Sequence, residues 1–375
     1  MLLKSVGRAA ALALSLGAAP IFAQSETHSN LQAVTSAGLS AWSGSLPFTI
    51  RGVLLCHPDE MLNPTPNFAA NPASMGGEWQ VTFQAVEPGD RGGTTCWMGQ
   101  NYGSLPWVGD ELSYTNEAWV REILRLNHDP ATGRAFRAGD LIEITVRRSL
   151  FYGGKRNINE AHDIEPEADF ELRLVQADYG LPAPEVITLA DVMNPGGNAA
   201  DKSSWLPIFD QTRATGGEHY QGMRVRLNDL SLVTTNGWNP TNTWGNRLCT
   251  VTDGLGRFFS LRHPRYSLGA APTNRFDAIG IFTQESGSGS QGTNGYELFV
   301  QQVLPHYPAP ELDIAQSVTI SWPANTDLYQ LEWREKVDTG EWTPVTNATA
   351  VINGRNTVIL PPASPQRFYQ LRKTN

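Results

Sequence analysis

Glu78-Trp-Gln-Val-Thr-Phe-Gln-Ala-Val86 alternates in character, with Trp79, Val81, Phe83 and Ala85 falling on one face of an extended chain. A Gly-rich turn over Pro88–Gly93 leads on into Thr94-Thr-Cys-Trp-Met98, so the two segments read as a β-hairpin. Upstream, Phe48-Thr-Ile-Arg-Gly-Val-Leu-Leu-Cys56 has the aliphatic and β-branched content of a strand. Downstream, Asp140-Leu-Ile-Glu-Ile-Thr-Val146 places Ile142, Ile144 and Val146 on one face, and Phe170-Glu-Leu-Arg-Leu174 turns Phe170, Leu172 and Leu174 inward. Between them only Glu117–Leu126 reads as a helix, with Trp119, Ile123 and Leu126 on one side and Asn116 placed to cap it.

The order strand, hairpin, helix, strand, strand is that of a five-stranded OB barrel, predicted here over residues 46–180 and closed by the Pro-marked connection Gly180-Leu-Pro-Ala-Pro184. A second OB-like barrel is expected over 185–304. Its strands are Gly222–Asn228, Leu248–Val251 and Arg257–Leu261 around an Asp253-Gly254 turn, then Phe276–Phe282 and Tyr296–Val303, with no helix legible among them. Leu304-Pro-His-Tyr-Pro-Ala-Pro310 reads as a stiff linker, and the five short strands of 312–375 fit a small β-sandwich. The expected fold class is therefore all-β. The 35 Gly, 25 Pro and 17% charged residues suit a turn-rich β protein, and 375 residues leave room for two or three cores.

Lys4 and Arg8 precede an apolar run, Ala9–Ala19, that ends near the small residue Ala23. Residues 1–23 thus read as a secretory signal peptide, followed by a polar segment over 24–45 and by no segment apolar enough to span a membrane. The expected location is secreted or at the cell surface. The chain carries 28 Lys+Arg against 37 Asp+Glu, a net charge of −9, and loss of Lys4 and Arg8 with the leader takes it to −11. Such a field favours solubility and opposes non-specific capture of phosphate backbones. An exported chain can carry one disulfide, and Cys56 and Cys96 share the first module with Cys249 left over; the alternative is three buried thiols.

Two resemblances follow from these segments. Leu331-Glu-Trp-Arg, Gly340-Glu-Trp-Thr-Pro-Val, Asn356-Thr-Val-Ile-Leu-Pro and Arg367-Phe-Tyr-Gln-Leu-Arg resemble the fibronectin-III-like terminal modules of secreted bacterial proteins. Gly139-Asp-Leu-Ile-Glu-Ile-Thr-Val, Pro182-Ala-Pro-Glu-Val-Ile-Thr-Leu and Glu218-His-Tyr-Gln-Gly-Met-Arg-Val-Arg-Leu are similar to the OB-like region preceding the catalytic domain of extracellular bacterial nucleases. The segment downstream of that match reads as the terminal module rather than as a catalytic domain.

Among candidate sites, Trp238-Asn-Pro-Thr-Asn-Thr-Trp244 sets two indoles in a polar loop, either as a stacking platform for sugar rings or nucleobases or as a cap on the barrel end. Gly153-Gly-Lys-Arg-Asn-Ile-Asn159 brings Lys155 and Arg156 to a turn, as a polar contact loop or an ordinary exposed hairpin tip. Gly287–Gly292 fits GxGxxG, but a strand follows where a dinucleotide site needs a helix, so it reads as a flexible hairpin loop. The acidic sets His57–Glu60 and Glu160–Asp169 read as solvated faces rather than metal sites. With no nucleophile elbow, zinc helix or activated cysteine, no cofactor, metal or catalytic residue is assigned. The expectation is a non-enzymatic binding or extracellular assembly protein whose partner is an extracellular polymer, polysaccharide or single-stranded nucleic acid, or a protein. The alternative is an accessory nucleic-acid-binding component of extracellular nuclease action.

Overall fold

A computed structural model describes residues 24–68, 75–102, 113–159, 168–286, 292–307, 313–314, 318–324, 329–360 and 366–374. The signal peptide predicted over 1–23, the acidic run 160–167 and residues 287–291 of the Gly/Ser loop lie outside them. The described chain is mostly strand with few helices, as its period-two patterning requires, and the protein is all-β.

The first sheet is built from β1 (Phe48–Leu54), β2 (Glu78–Gln84), β3 (Gly93–Gly99), β4 (Leu141–Val146), β5 (Ser149–Tyr152), β6 (Lys155–Asn159) and β7 (Phe170–Gln176). They pair in the order β5-β6-β3-β2-β1-β4-β7, with β3 and β6 parallel. The hairpin β2–β3 registers Trp79 against Met98 and Phe83 against Thr94. Helix α1 (Asn116–Asn127) begins one residue earlier than the sequence suggests. Thr115 is its cap, its hydroxyl accepting from Ala118 N–H, while Asn116 is helical and its Oδ1 accepts from Phe68 N–H and Gln100 Nε2. Trp119 and Leu126 are buried on the core side of α1, as their spacing requires.

The second sheet comprises β8 (Glu185–Ile187), β9 (Arg224–Leu232), β10 (Leu248–Thr252), β11 (Phe258–Arg262), β12 (Phe276–Gln284) and β13 (Tyr296–Pro305). The order is β10-β11-β13-β12-β9-β8, and β9 also pairs with β10, so five strands close a circuit. Within it β11 and β13 are parallel, with Ser260 opposite Glu297. No helix occurs between β11 and β12, in keeping with the sequence.

The two sheets pack as one unit. Ile281 and Phe299 of the second join a core with Phe48, Phe83, Trp97 and Phe170 of the first. Gly93 and Gly222 cross backbone on backbone: a Cβ on Gly93 would lie 2.1 Å from Gly222 O, so both positions need glycine. The described residues up to Leu304, apart from 274–276, belong to this larger compact unit.

Residues from Pro305 onward fall, with 274–276, in a smaller unit. There β14 (Thr319–Pro323) pairs with β16 (Arg355–Ile359), which also pairs with the short strand Ala350–Ile352 just before it in sequence. A separate sheet joins β15 (Tyr329–Arg334) to β17 (Phe368–Lys373) and to Thr343–Pro344. Ile320, Trp322, Leu331, Val358 and Leu360 form its core. No described helix is long and apolar enough to cross a membrane.

Candidate ligand-binding cleft

Alternation along β11 puts Phe259 and Leu261 on one face of the strand and Ser260 and Arg262 on the other. The parallel register then sets Glu297 of β13 beside them. Arg262 grips Glu297 with two parallel bonds, Nε to Oε1 at 2.6 Å and Nη2 to Oε2 at 2.9 Å, and its Nη1 donates to the Trp244 carbonyl at 2.6 Å. Both side chains of the pair are 4% exposed. Burial raises the Glu297 carboxyl above its ordinary range, and the Arg262 charge opposes that rise.

This pair forms part of the wall of a cleft of about 360 Å³. Around it stand Lys202 and Trp205 from the segment between β8 and β9, Glu285 and Asn294 from the ends of the loop joining β12 to β13, and Tyr296. Lys202 Nζ donates to Ser260 Oγ at 3.2 Å and lies 5.4 Å from the centre of the Trp205 ring. Partial desolvation of that ammonium lowers its pKa, with Glu297 pulling the other way and Arg262 adding to the drop. Trp205 is half-buried, stacks at 6.3 Å on Phe258, and is fixed by its indole N–H donating to the Asn198 carbonyl at 2.9 Å. Behind the cleft, the Tyr296 hydroxyl donates to Glu218 Oε1 at 2.7 Å, and burial pushes the Glu218 carboxyl up to about 7 despite Arg213 at 3.1 Å.

The residues singled out in the sequence are dispersed around this cleft rather than gathered in it. Lys155 is not at an exposed tip: it is 6% exposed, its ammonium donating to the Gln284 carbonyl at 2.5 Å and pairing with Glu285 Oε1 at 2.6 Å, so it holds a wall residue from behind. Arg156 stacks 4.5 Å from the Trp42 ring centre and donates to Ser40 Oγ at 2.9 Å. Trp244 has Arg262 at 3.7 Å over its ring and meets Phe299 edge-on at 5.4 Å. Trp238 donates its indole N–H to the Gly269 carbonyl at 3.1 Å and meets His263 edge-on at 5.1 Å. Both indoles are half-buried. Cys56, Cys96 and Cys249 are buried free thiols, so the Cys56–Cys96 bridge is not formed.

Sequence reasoning missed Lys202, Trp205, Ser260, Arg262 and Glu297. Glu297 was detectable, because a lone acid inside the apolar run Tyr296-Glu-Leu-Phe-Val300 must find a cation once buried. Its partner was not, since β11 and β13 are separated in sequence by the whole of β12 and no local signal sets their register. Among the described residues no group of three or more His, Cys, Asp or Glu side chains is arranged to hold a metal ion. In the His57–Glu60 set, the Glu60 carboxylate instead accepts from the His57 N–H at 3.0 Å.

No protein-family model, curated protein or solved structure matches this chain.

Proposed function

We propose that this is an exported, non-enzymatic binding protein whose cleft takes an uncharged, polyhydroxylated ligand, a saccharide. The observation that carries the reading is an aromatic face, Trp205, set beside charged groups that cancel: Lys202 and Arg262 against Glu285 and Glu297. A sugar presents C–H faces to an indole and hydroxyls that both donate and accept, so carboxylates, an ammonium, Ser260 and the Asn294 amide in one small cleft suit it. A polyanion would meet two carboxylates with no surplus of cations. The whole-chain net charge of −9 argues in the same direction against nucleic acid. Both cleft carboxylates are held by cations, Glu297 by Arg262 and Glu285 by Lys155, which suits hydrogen-bond acceptors better than a general acid.

The circuit β9-β10-β11-β13-β12-β9, with β11 and β13 parallel, supports an OB-type barrel for the second module. Such barrels bind through the face of their second and third strands and the loops after the first and fourth, and the cleft draws on Leu248, Ser260 and Glu285 from those places. In the first module, the pairings of β1 with β2 and β4, and of β3 with β6, support the same reading, with the fifth-strand role divided between β6 and β7. The two small sheets of the terminal unit support the fibronectin-like reading. Export rests on the sequence of residues 1–23.

The test is a screen of the mature protein against neutral and acidic polysaccharides and single-stranded DNA at low and high salt. Saccharide binding that is insensitive to salt, and that Trp205→Ala weakens about tenfold or more, is the expected result. Binding of DNA that falls steeply with salt, with no saccharide bound, would replace this reading by the nucleic-acid one.

A further inference from the structure

On the larger unit, sharing no lining residue with the cleft just described, a pocket of about 290 Å³ opens between the short helix His28–Leu31 and the segment 211–219. Its walls include Ser29, Arg91, Gln211, Thr212, Arg213 and His219, and no carboxylate is among them. We propose that this pocket is a second binding site, for a phosphate or sulfate group.

The argument rests on donors left over once internal bonds are made. Arg213 places all three of its hydrogen bonds on Nη1, to Gln32 O, Glu218 Oε2 and Gln221 Oε1, each at 3.1 Å. Its Nε and Nη2 donate to nothing among the described residues, although the guanidinium is only 12% exposed. Arg91 spends Nε on the His219 carbonyl at 3.2 Å and Nη2 on Glu185 at 2.8 Å, leaving Nη1 unspent. His219 donates its Nδ1–H to the Arg213 carbonyl at 2.7 Å, which steadies the loop, and its Nε2 is then an acceptor that adds no donor to the wall. Two guanidiniums with unspent N–H groups on one concave, acid-free wall are the usual means of holding a tetrahedral oxyanion.

The wall is built in advance of any ligand. Asp210 ties the loop, Oδ1 accepting from Thr212 N–H at 2.9 Å and Oδ2 from Thr215 N–H at 3.0 Å, and these bonds hold its own pKa down to about 2. Arg213 is thereby held at a φ of 59°, a conformation a non-glycine residue adopts only when its surroundings impose it. Gly92 supplies the space alongside: a Cβ there would lie 3.0 Å from Arg213 Nη2. Asp90, next to Arg91 in sequence, is spent on the N–H groups of His28, Ser29 and Arg91. Glu218, the ion-pair partner of Arg213, is pushed up to about 7 by burial, so near neutral pH it offsets the guanidinium charge only in part.

This site does not depend on the saccharide reading of the cleft, and its test uses a different probe. Inorganic phosphate is titrated into the full mature chain at low ionic strength, followed by calorimetry and by the width of the phosphorus NMR signal. The expected result is saturable binding to one site, displaced by sulfate and not by chloride at equal ionic strength. Arg91→Gln and Arg213→Lys should each weaken it by about tenfold to a hundredfold, the loss of one charge-assisted bond. Circular dichroism and melting curves establish that each variant is folded, and if Arg213→Lys is not, Arg91→Gln alone decides. Absence of saturable binding, displacement by chloride as readily as by sulfate, or unchanged affinity in folded Arg91→Gln would overturn the proposal.

Discussion

Replacing Glu218 by Gln should expose a pH dependence of stability that the natural protein hides. Glu218 and His28 are both fully buried in the larger unit, and burial moves their pKa values in opposite senses. The Glu218 carboxyl rises from 4.5 to about 7 because its ionised form is desolvated, an effect that Arg213 and the Tyr296 hydroxyl only partly offset. A raised pKa contributes stability that is complete below the unfolded value and is lost as pH rises through the folded one, here between about 4.5 and 7. His28 falls from 6.5 to about 4, again through desolvation, with its neutral ring fixed by Nε2 donating to the Arg51 carbonyl and Nδ1 accepting from Thr94. A depressed pKa contributes stability that is complete above 6.5 and is lost as pH falls toward 4. The rise from 4.5 to about 7 and the fall from 6.5 to about 4 each correspond to roughly 3 kcal/mol, so across the shared window the two slopes nearly cancel. In Glu218→Gln the His28 slope is no longer opposed by that of Glu218. Urea unfolding of the larger unit, followed by tryptophan fluorescence from pH 4.5 to 7, should show the difference between variant and natural protein changing by about 3 kcal/mol. A difference that stays constant across that range would refute the assignment of an elevated pKa to Glu218, whatever the absolute stability of the variant.

Gly93→Ala should lower the melting temperature of the first and second sheets together, because the new Cβ meets the Gly222 backbone; a loss of about 1–3 kcal/mol or more is expected, and separate transitions for the two sheets would contradict the shared core. Trp244→Ala should cost about 2–3 kcal/mol in thermal unfolding, less than for a fully buried indole, since the ring is half-buried between Arg262 and Phe299. Residues 305–375, expressed alone, should give the dispersed amide spectrum of a folded unit, and a collapsed spectrum would deny it an independent core.

The all-β class and most of its strands were legible because β-strands declare themselves by period-two alternation. Trp79, Val81 and Phe83 face the core as their spacing requires, and Ile142, Ile144 and Val146 do the same. The helix was legible through Trp119 and Leu126, but its cap was misplaced by one residue, since Thr115 and Asn116 are both competent caps and only the tertiary bonds of Asn116 to Phe68 and Gln100 decide between them. The site was much less legible. Attention fell on Trp238 and Trp244 because indoles in a polar loop are unusual, whereas Trp205 enters the cleft through a segment of 3₁₀ turn and two-residue strand that carries no periodic signal. Lys155 read as exposed because it follows a Gly-Gly turn; what buries it is Glu285, 130 residues away in sequence. Non-local contacts of that kind create both the cleft and the phosphate pocket, and no window of sequence contains them.

The central claim, that the cleft holds a saccharide against Trp205, is tested most directly by following the indole N–H signals of the 11 tryptophans during titration with a saccharide. Assignment by single Trp→Phe variants identifies the Trp205 signal. The account predicts a saturable shift of that signal, with those of Trp322, Trp333 and Trp342 in the terminal unit unmoved. Saturable saccharide binding that leaves Trp205 unmoved and shifts only the terminal-unit tryptophans would contradict it, as would a Trp205 signal that responds to single-stranded DNA and to no saccharide.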